Sequence, residues 1–133
     1  MREKNFEING FAYRELYYFC LQYHEYKRGI EEILNFGSGK PTYSGSNSRG
    51  GALNKSDTEN RAFALEKLKS KCELIEQTAL EVDADIYQPL LKNVTTGVTY
   101  DHMKACDIEI FCGRRQFYEK RRKFFYLLNL KKG

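Results

Sequence analysis

The sequence has no tryptophan, only two prolines, no CxxC pair, and no apolar stretch near the roughly 18 residues that a membrane-spanning helix needs. The missing stretch excludes a helical membrane span. From Met1 to Asn9 charged and polar residues alternate where a secretion signal would carry an apolar block. The expectation is a cytoplasmic chain with no membrane partner. Cys20, Cys72, Cys106 and Cys112 have no paired spacing, so they read as packing thiols and not as a disulfide scaffold. A nucleotide-binding loop is also missing. Gly37-Ser38-Gly39-Lys40 would need a first glycine where Leu34 stands and a Ser or Thr where Pro41 stands, and a helix precedes it instead of a strand.

What is present is a chain of 133 residues, 41% hydrophobic and 30% charged, sufficient for one domain with its own core. Ten tyrosines and nine phenylalanines supply the large packing groups. The net charge of +4 is unevenly distributed. From Gly113 to Gly133 eight basic residues face the single acid Glu119, whereas Met1 to Cys112 carries fourteen basic and seventeen acidic residues. A basic end on a mildly acidic body is the pattern of a chain whose end meets a polyanion.

The hydrophobic spacing predicts an all-α fold. Ala12, Leu16, Phe19, Tyr23, Tyr26, Ile30 and Ile33 alternate by fours and threes, which places them in one stripe of a long helix over 11–36. Tyr13, Tyr17 and Tyr18 widen that apolar surface, and with it comes the expectation of a homodimer. Residues 37–55 hold five of the ten glycines, four serines and no acid, and read as a flexible, protease-sensitive loop. Ser56-Asp57-Thr58-Glu59 is a capping box at the head of a second long helix, over 57–86, with its stripe at Leu65, Leu68, Cys72, Ile75, Ala79, Val82 and Ile86. The two long helices are expected to pack antiparallel. Pro89 either kinks the end of the second or opens a short helix through Leu90, Leu91 and Lys92. Val94 to Thr99, polar and β-branched, reads as a connection.

The last part of the chain, 98–129, carries the candidate chemistry. Thr99 is placed to cap a short helix over Tyr100 to Cys106, and Ile108 and Ile110 lie in a turn that plugs the angle to a final helix running from Gly113 to about Asn129. That helix sets Phe117, Phe124 and Leu128 on one face and basic residues on the other. A short helix, an apolar turn and a longer basic helix are the parts of a helix-turn-helix, whose second helix enters the major groove of double-stranded DNA. Arg114, Arg115, Gln116 and Glu119 are of the types that read guanine, adenine and cytosine edges. Lys120, Arg122, Lys123, Lys131 and Lys132 are of the type that holds phosphates.

The stretches Val98-Thr99-Tyr100-Asp101, Ile110-Phe111-Cys112-Gly113-Arg114-Arg115-Gln116-Phe117-Tyr118 and Arg121-Arg122-Lys123-Phe124-Phe125-Tyr126-Leu127-Leu128 resemble the C-terminus of small prophage and mobile-element proteins of Gram-positive bacteria. In layout these are similar to the RinA and ArpU-type phage transcriptional regulators, with a module like sigma-factor region four. The resemblance implies sequence-specific duplex binding through Arg114, Arg115, Gln116, Glu119 and Arg122; RNA polymerase is the further partner expected if the chain is instead a docking adaptor. The sequence departs from that pattern at the turn, which is longer and lacks the usual small residue and glycine. Two other functions share the same parts: a small terminase-like packaging or assembly protein, and a protein–protein adaptor.

Other constellations read as structural. His102 and Cys106 stand four apart with Cys112 nearby, but the finger spacings of zinc are absent, so no metal or other cofactor is expected. Cys112, at a helix N-terminus beside Arg114 and Arg115, has the setting of a stabilised thiolate but no histidine at a spacing that would serve it. His24 reads as packing or surface, and Glu81, Asp83 and Asp85 as a solvated acidic face. No enzyme is expected.

Overall fold

A computed structural model describes residues 6–36 and 55–132. Among these residues 84% are helical and there is no strand. The all-α class follows. The elements are α1 (Gly10–Leu21), α2 (Tyr23–Phe36), α3 (Lys55–Val82), a 3-10 turn (Ala84–Ile86), α4 (Tyr87–Thr96), α5 (Tyr100–Ala105) and α6 (Arg114–Lys132). No helix among the described residues is long and apolar enough to cross a membrane. The glycine- and serine-rich stretch expected as a flexible loop lies outside the described residues, apart from its last residue, Lys55, which opens α3.

The chain divides into two units, Met1–Tyr23 with Glu73–Gly133, and His24–Cys72. The second unit contains α2 from His24 onward and α3 as far as Cys72. Tyr26 and Cys72 are buried, and Ile30, Ile33, Leu65 and Leu68 are half-buried. Its contacts join Phe36 to the Arg61 guanidinium (4.0 Å from the ring centre) and Tyr26 to the Lys71 ammonium (4.9 Å). At Gly29 a Cβ would lie 2.9 Å from Leu68 Cδ1, so the absence of a side chain is what lets the Leu68 methyl sit there.

The first unit holds the larger core. Leu16 and Cys20 of α1, Ile75 and Ala79 of α3, Ile86, Leu90 and Val94 of α4, Met103 of α5, and Phe117, Phe124, Phe125 and Leu128 of α6 are all buried. Tyr23 donates a hydrogen bond to the Glu76 carboxylate. Thr78 is buried inside the stripe because its hydroxyl donates to the Leu74 carbonyl at 2.7 Å, leaving no unpaired polar atom.

Three boundaries differ from the sequence reading. The single helix over 11–36 is two helices, broken at Gln22. There the side-chain amide donates to the Tyr18 carbonyl (3.2 Å), while the backbone N–H turns to Phe19 (3.2 Å), so the regular ladder is interrupted without a glycine or proline. The helix over 57–86 opens at Lys55, one residue before the capping-box segment, so Ser56 lies inside the helix, and it ends at Val82. Asp83 then caps a 3-10 turn by accepting from the Asp85 N–H at 2.9 Å. Finally, Val94 to Thr96 are helical. Pro89 sits in the first turn of α4, and the Thr95 and Thr96 hydroxyls fold back onto the Leu91 and Lys92 carbonyls (2.8 and 2.6 Å). Gly97, at φ 83°, ends α4 in the left-handed conformation that a side chain disfavours.

Candidate nucleic-acid interface

The region expected to read DNA begins at Thr99, whose hydroxyl accepts from the His102 N–H at 3.1 Å and caps α5 as the sequence indicates. Tyr100 then fastens α5 both to α6 and to the connection before it. Its N–H donates to the Tyr118 hydroxyl (3.1 Å) and its own hydroxyl donates to the Cys112 carbonyl (2.8 Å). The connection spans residues 106–113, with Ile110 buried, Ile108 half-buried and Asp107 in the left-handed region at φ 63°. Gly113 opens α6, its N–H donating to the Gln116 side-chain oxygen at 3.2 Å.

Along α6 the spacing Phe117, Phe124 and Leu128 faces inward, as read from sequence, with Phe125 added. Arg114, Arg115, Gln116, Glu119 and Arg122 are exposed. Arg115, Glu119 and Arg122 follow one another by four and three along the solvent side, one stripe carrying both donors and an acceptor. Gln116 is not wholly free for a base edge, because its carbonyl oxygen is engaged at the helix N-terminus.

The phosphate-type residues are placed differently from one another. Lys120 pairs with Asp83 at 3.0 Å and Lys131 with Glu81 at 3.0 Å, while Arg114 reaches Asp101 at the longer distance of 3.9 Å. The Lys132 ammonium stands 4.3 Å from the Phe19 ring centre, and that of Lys123 stands 5.8 Å from Phe6. The acidic end of α3 is therefore more than a solvated face. Lysines distant in sequence find it, and the charge separated along the chain is partly neutralised in space. The Lys120 ammonium holds the Asp83 carboxyl below its ordinary range, helped by the Asp85 and Ile86 N–H groups and opposed by partial burial.

Arg121 was not among the residues singled out, yet it anchors this helix. It falls in the inward stripe between Phe117 and Phe124, which is the signal that an arginine there has a buried partner. Its Nε donates to Asn93 Oδ1 at 2.6 Å, and its guanidinium lies 5.0 Å from the Phe125 ring centre and 5.9 Å from that of Tyr13. The buried Asn93 also donates to the Val98 carbonyl at 2.8 Å, so one amide joins α4, the α4–α5 connection and α6.

The thiols divide. Cys20 and Cys72 are buried, Cys112 is half-buried and Cys106 is exposed, which corrects the expectation of four packing thiols. Burial pushes the Cys20 thiol up to about 12. Burial also raises Cys112, outweighing the nearby Lys120, so the setting that favoured a thiolate there does not prevail. Cys106 Sγ is 3.8 Å from His102 Nε2, both on the surface. Among the described residues no group of three or more His, Cys, Asp or Glu side chains is placed to hold a metal ion. His24 is exposed.

No family model, curated protein or solved structure matches this chain.

Proposed function

We propose that this chain is a sequence-specific, double-stranded-DNA-binding regulator of transcription of the phage or mobile-element kind. In this reading α5, residues 106–113 and α6 act as a helix-turn-helix and α6 enters the major groove. The observation that carries the reading is the exposed head of α6. Arg114, Arg115, Gln116, Glu119 and Arg122 present donors and an acceptor from one helix whose opposite face is locked into a core. Arginine paired to guanine and glutamate accepting from the cytosine amino group would give sequence preference. Arg122, Lys123 and Lys132 would add phosphate contacts. Lys120 and Lys131 would contribute once released from Asp83 and Glu81.

In the other unit, Phe36 meets Arg61, Gly29 meets Leu68 and Tyr26 meets Lys71, so positions rise along α3 as they fall along α2. That order supports an antiparallel pair. The exposed aromatics Phe11 and Tyr18 of α1 support a homodimer, which would read two half-sites.

Selection of bound sequences from random duplexes by the purified chain tests the reading. Enrichment of one motif, lost in Arg115→Ala, supports it. A second reading, an adaptor docking on RNA polymerase or another protein, is favoured by Phe111 (67% exposed) before the basic helix and Leu130 (61%) near its end, apolar groups that a phosphate backbone does not need. The absence of any enriched motif would favour this second reading.

A further inference from the structure

One side of α6, in the same unit as the exposed basic face, forms a wall of an open groove of about 560 Å³. The opposite wall is the segment Phe6, Glu7 and Ile8 together with Gly10 and Tyr13 of α1. A volume of this size lies within the roughly 300–1,000 Å³ of small-molecule sites. The α6 wall is Tyr118 and Phe125 with the consecutive cations Arg121 and Arg122. Phe125 is buried, edge to face with Tyr13 (ring centres 5.0 Å apart), so the aromatic surface open to a ligand is that of the half-buried Phe6, Tyr13 and Tyr118.

Its charge is unbalanced. Arg121 is half-buried, and among the described residues its hydrogen-bonding partner is the neutral amide of Asn93. Among the described residues no carboxylate lies within ion-pair distance of Arg121 or of Arg122. A guanidinium withdrawn from water without an acid is costly, and it gains most from an anion that can accept several of its N–H groups at once.

We propose that this groove binds a nucleoside 5′-monophosphate, its phosphate on Arg121 and Arg122 and its base against the aromatic walls. A phosphomonoester carries a charge of roughly −1.5 to −2 near neutral pH, which matches two guanidinium groups, whereas one carboxylate would leave a cation unmatched. A planar base stacks on tyrosine and phenylalanine whatever its identity. Glu7, exposed on the opposite wall, can accept from the amino group of a base, and its negative charge disfavours further phosphates, so a monophosphate is favoured over a triphosphate. Arg122 would then serve both this groove and the exposed face of α6, although the proposal needs no DNA.

Isothermal titration of the full chain with adenosine 5′-monophosphate tests it, with adenosine, inorganic phosphate and adenosine triphosphate as separate titrants. Saturable binding of the monophosphate is expected, with each of the other three weaker by about tenfold or more, because each lacks a contact or adds a repulsion. Arg121→Gln is expected to lose roughly tenfold to a hundredfold in affinity. Since that change also removes the bond to Asn93, the exposed Arg122→Gln is measured beside it and is expected to lose about tenfold with unaltered helical circular dichroism. No saturable heat with the monophosphate overturns the proposal. So does adenosine or inorganic phosphate binding equally well, or an Arg122→Gln chain binding the monophosphate as the parent does.

Discussion

Asn93 Oδ1 accepts a hydrogen bond of 2.6 Å from Arg121 Nε, and through this bond α6 is tied to α4 by an amide that is itself buried. The other end of the same amide holds the Val98 carbonyl. Replacing Asn93 by alanine leaves two half-buried partners, the Arg121 guanidinium and the Val98 carbonyl, without these bonds. A loss of about 1–3 kcal/mol in unfolding free energy is expected, read as a lower urea midpoint. A midpoint unchanged in Asn93→Ala would mean that the bond contributes nothing net.

Base-reading and phosphate-holding residues should fail differently. On the selected duplex, Arg115→Ala is expected to cost about 1–3 kcal/mol and to relax sequence preference, as loss of a bidentate guanine contact does. Lys132→Ala should weaken all duplexes alike and flatten the dependence of affinity on salt. Fluorescence anisotropy across a salt series separates the two. Equal indifference of both variants would remove α6 from the interface.

Asp83 sets an acid limit. Its carboxyl titrates below the ordinary value of 3.8 in the folded chain, chiefly through Lys120. The folded form therefore binds this proton less readily than the unfolded form. The stabilisation is present in full above the unfolded value and is lost as pH falls through the lower folded value. Asp83→Asn should flatten the decline in stability below about pH 4, followed by urea midpoints over an acid series. The same change frees Lys120 and should strengthen non-specific duplex binding at low salt. An acid limb identical in the variant would assign it to other carboxylates.

Thiol reactivity should follow burial. Cys106 is exposed and should be alkylated first in the folded chain, Cys112 more slowly, and Cys20 and Cys72 only on unfolding. Peptide mass spectrometry after timed iodoacetamide treatment gives the order. Early labelling of Cys20, whose thiol titrates at about 12 when buried, would contradict the core described for α1.

Gly97→Ala is expected to destabilise by about 1–2 kcal/mol, because φ of 83° places a Cβ in the disfavoured left-handed region although nothing crowds it closer than the Tyr17 hydroxyl at 3.9 Å. Unchanged thermal unfolding would show that the turn relaxes without cost.

Local pattern by itself determined much of this protein. The three-residue step from Tyr23 to Tyr26 along α2, and the threes and fours of Cys72, Ile75, Ala79 and Val82 along α3, bury these residues, because a helix brings such positions onto one face whatever it packs against. Thr99 was legible as a cap for the same reason, since its partner lies three residues away. The inward face of α6 and its exposed basic head could likewise be read from spacing.

Tertiary structure decided what depends on partners distant in sequence. Periodicity continues through Gln22 and does not reveal that its side chain would interrupt the ladder. The β-branched run at Val94 to Thr96 became helix because hydroxyls folded onto carbonyls and the apolar side found a core. Lys120 and Lys131 look free in sequence, but Asp83 and Glu81, more than thirty residues earlier, neutralise them. Arg121 reads as one basic residue among several until the fold sets it beside Asn93 and Phe125 and leaves its charge without an acid. A helix fixes which residues share a face, whereas the approach of one chain segment to another fixes which charges remain available, and function depends on that remainder.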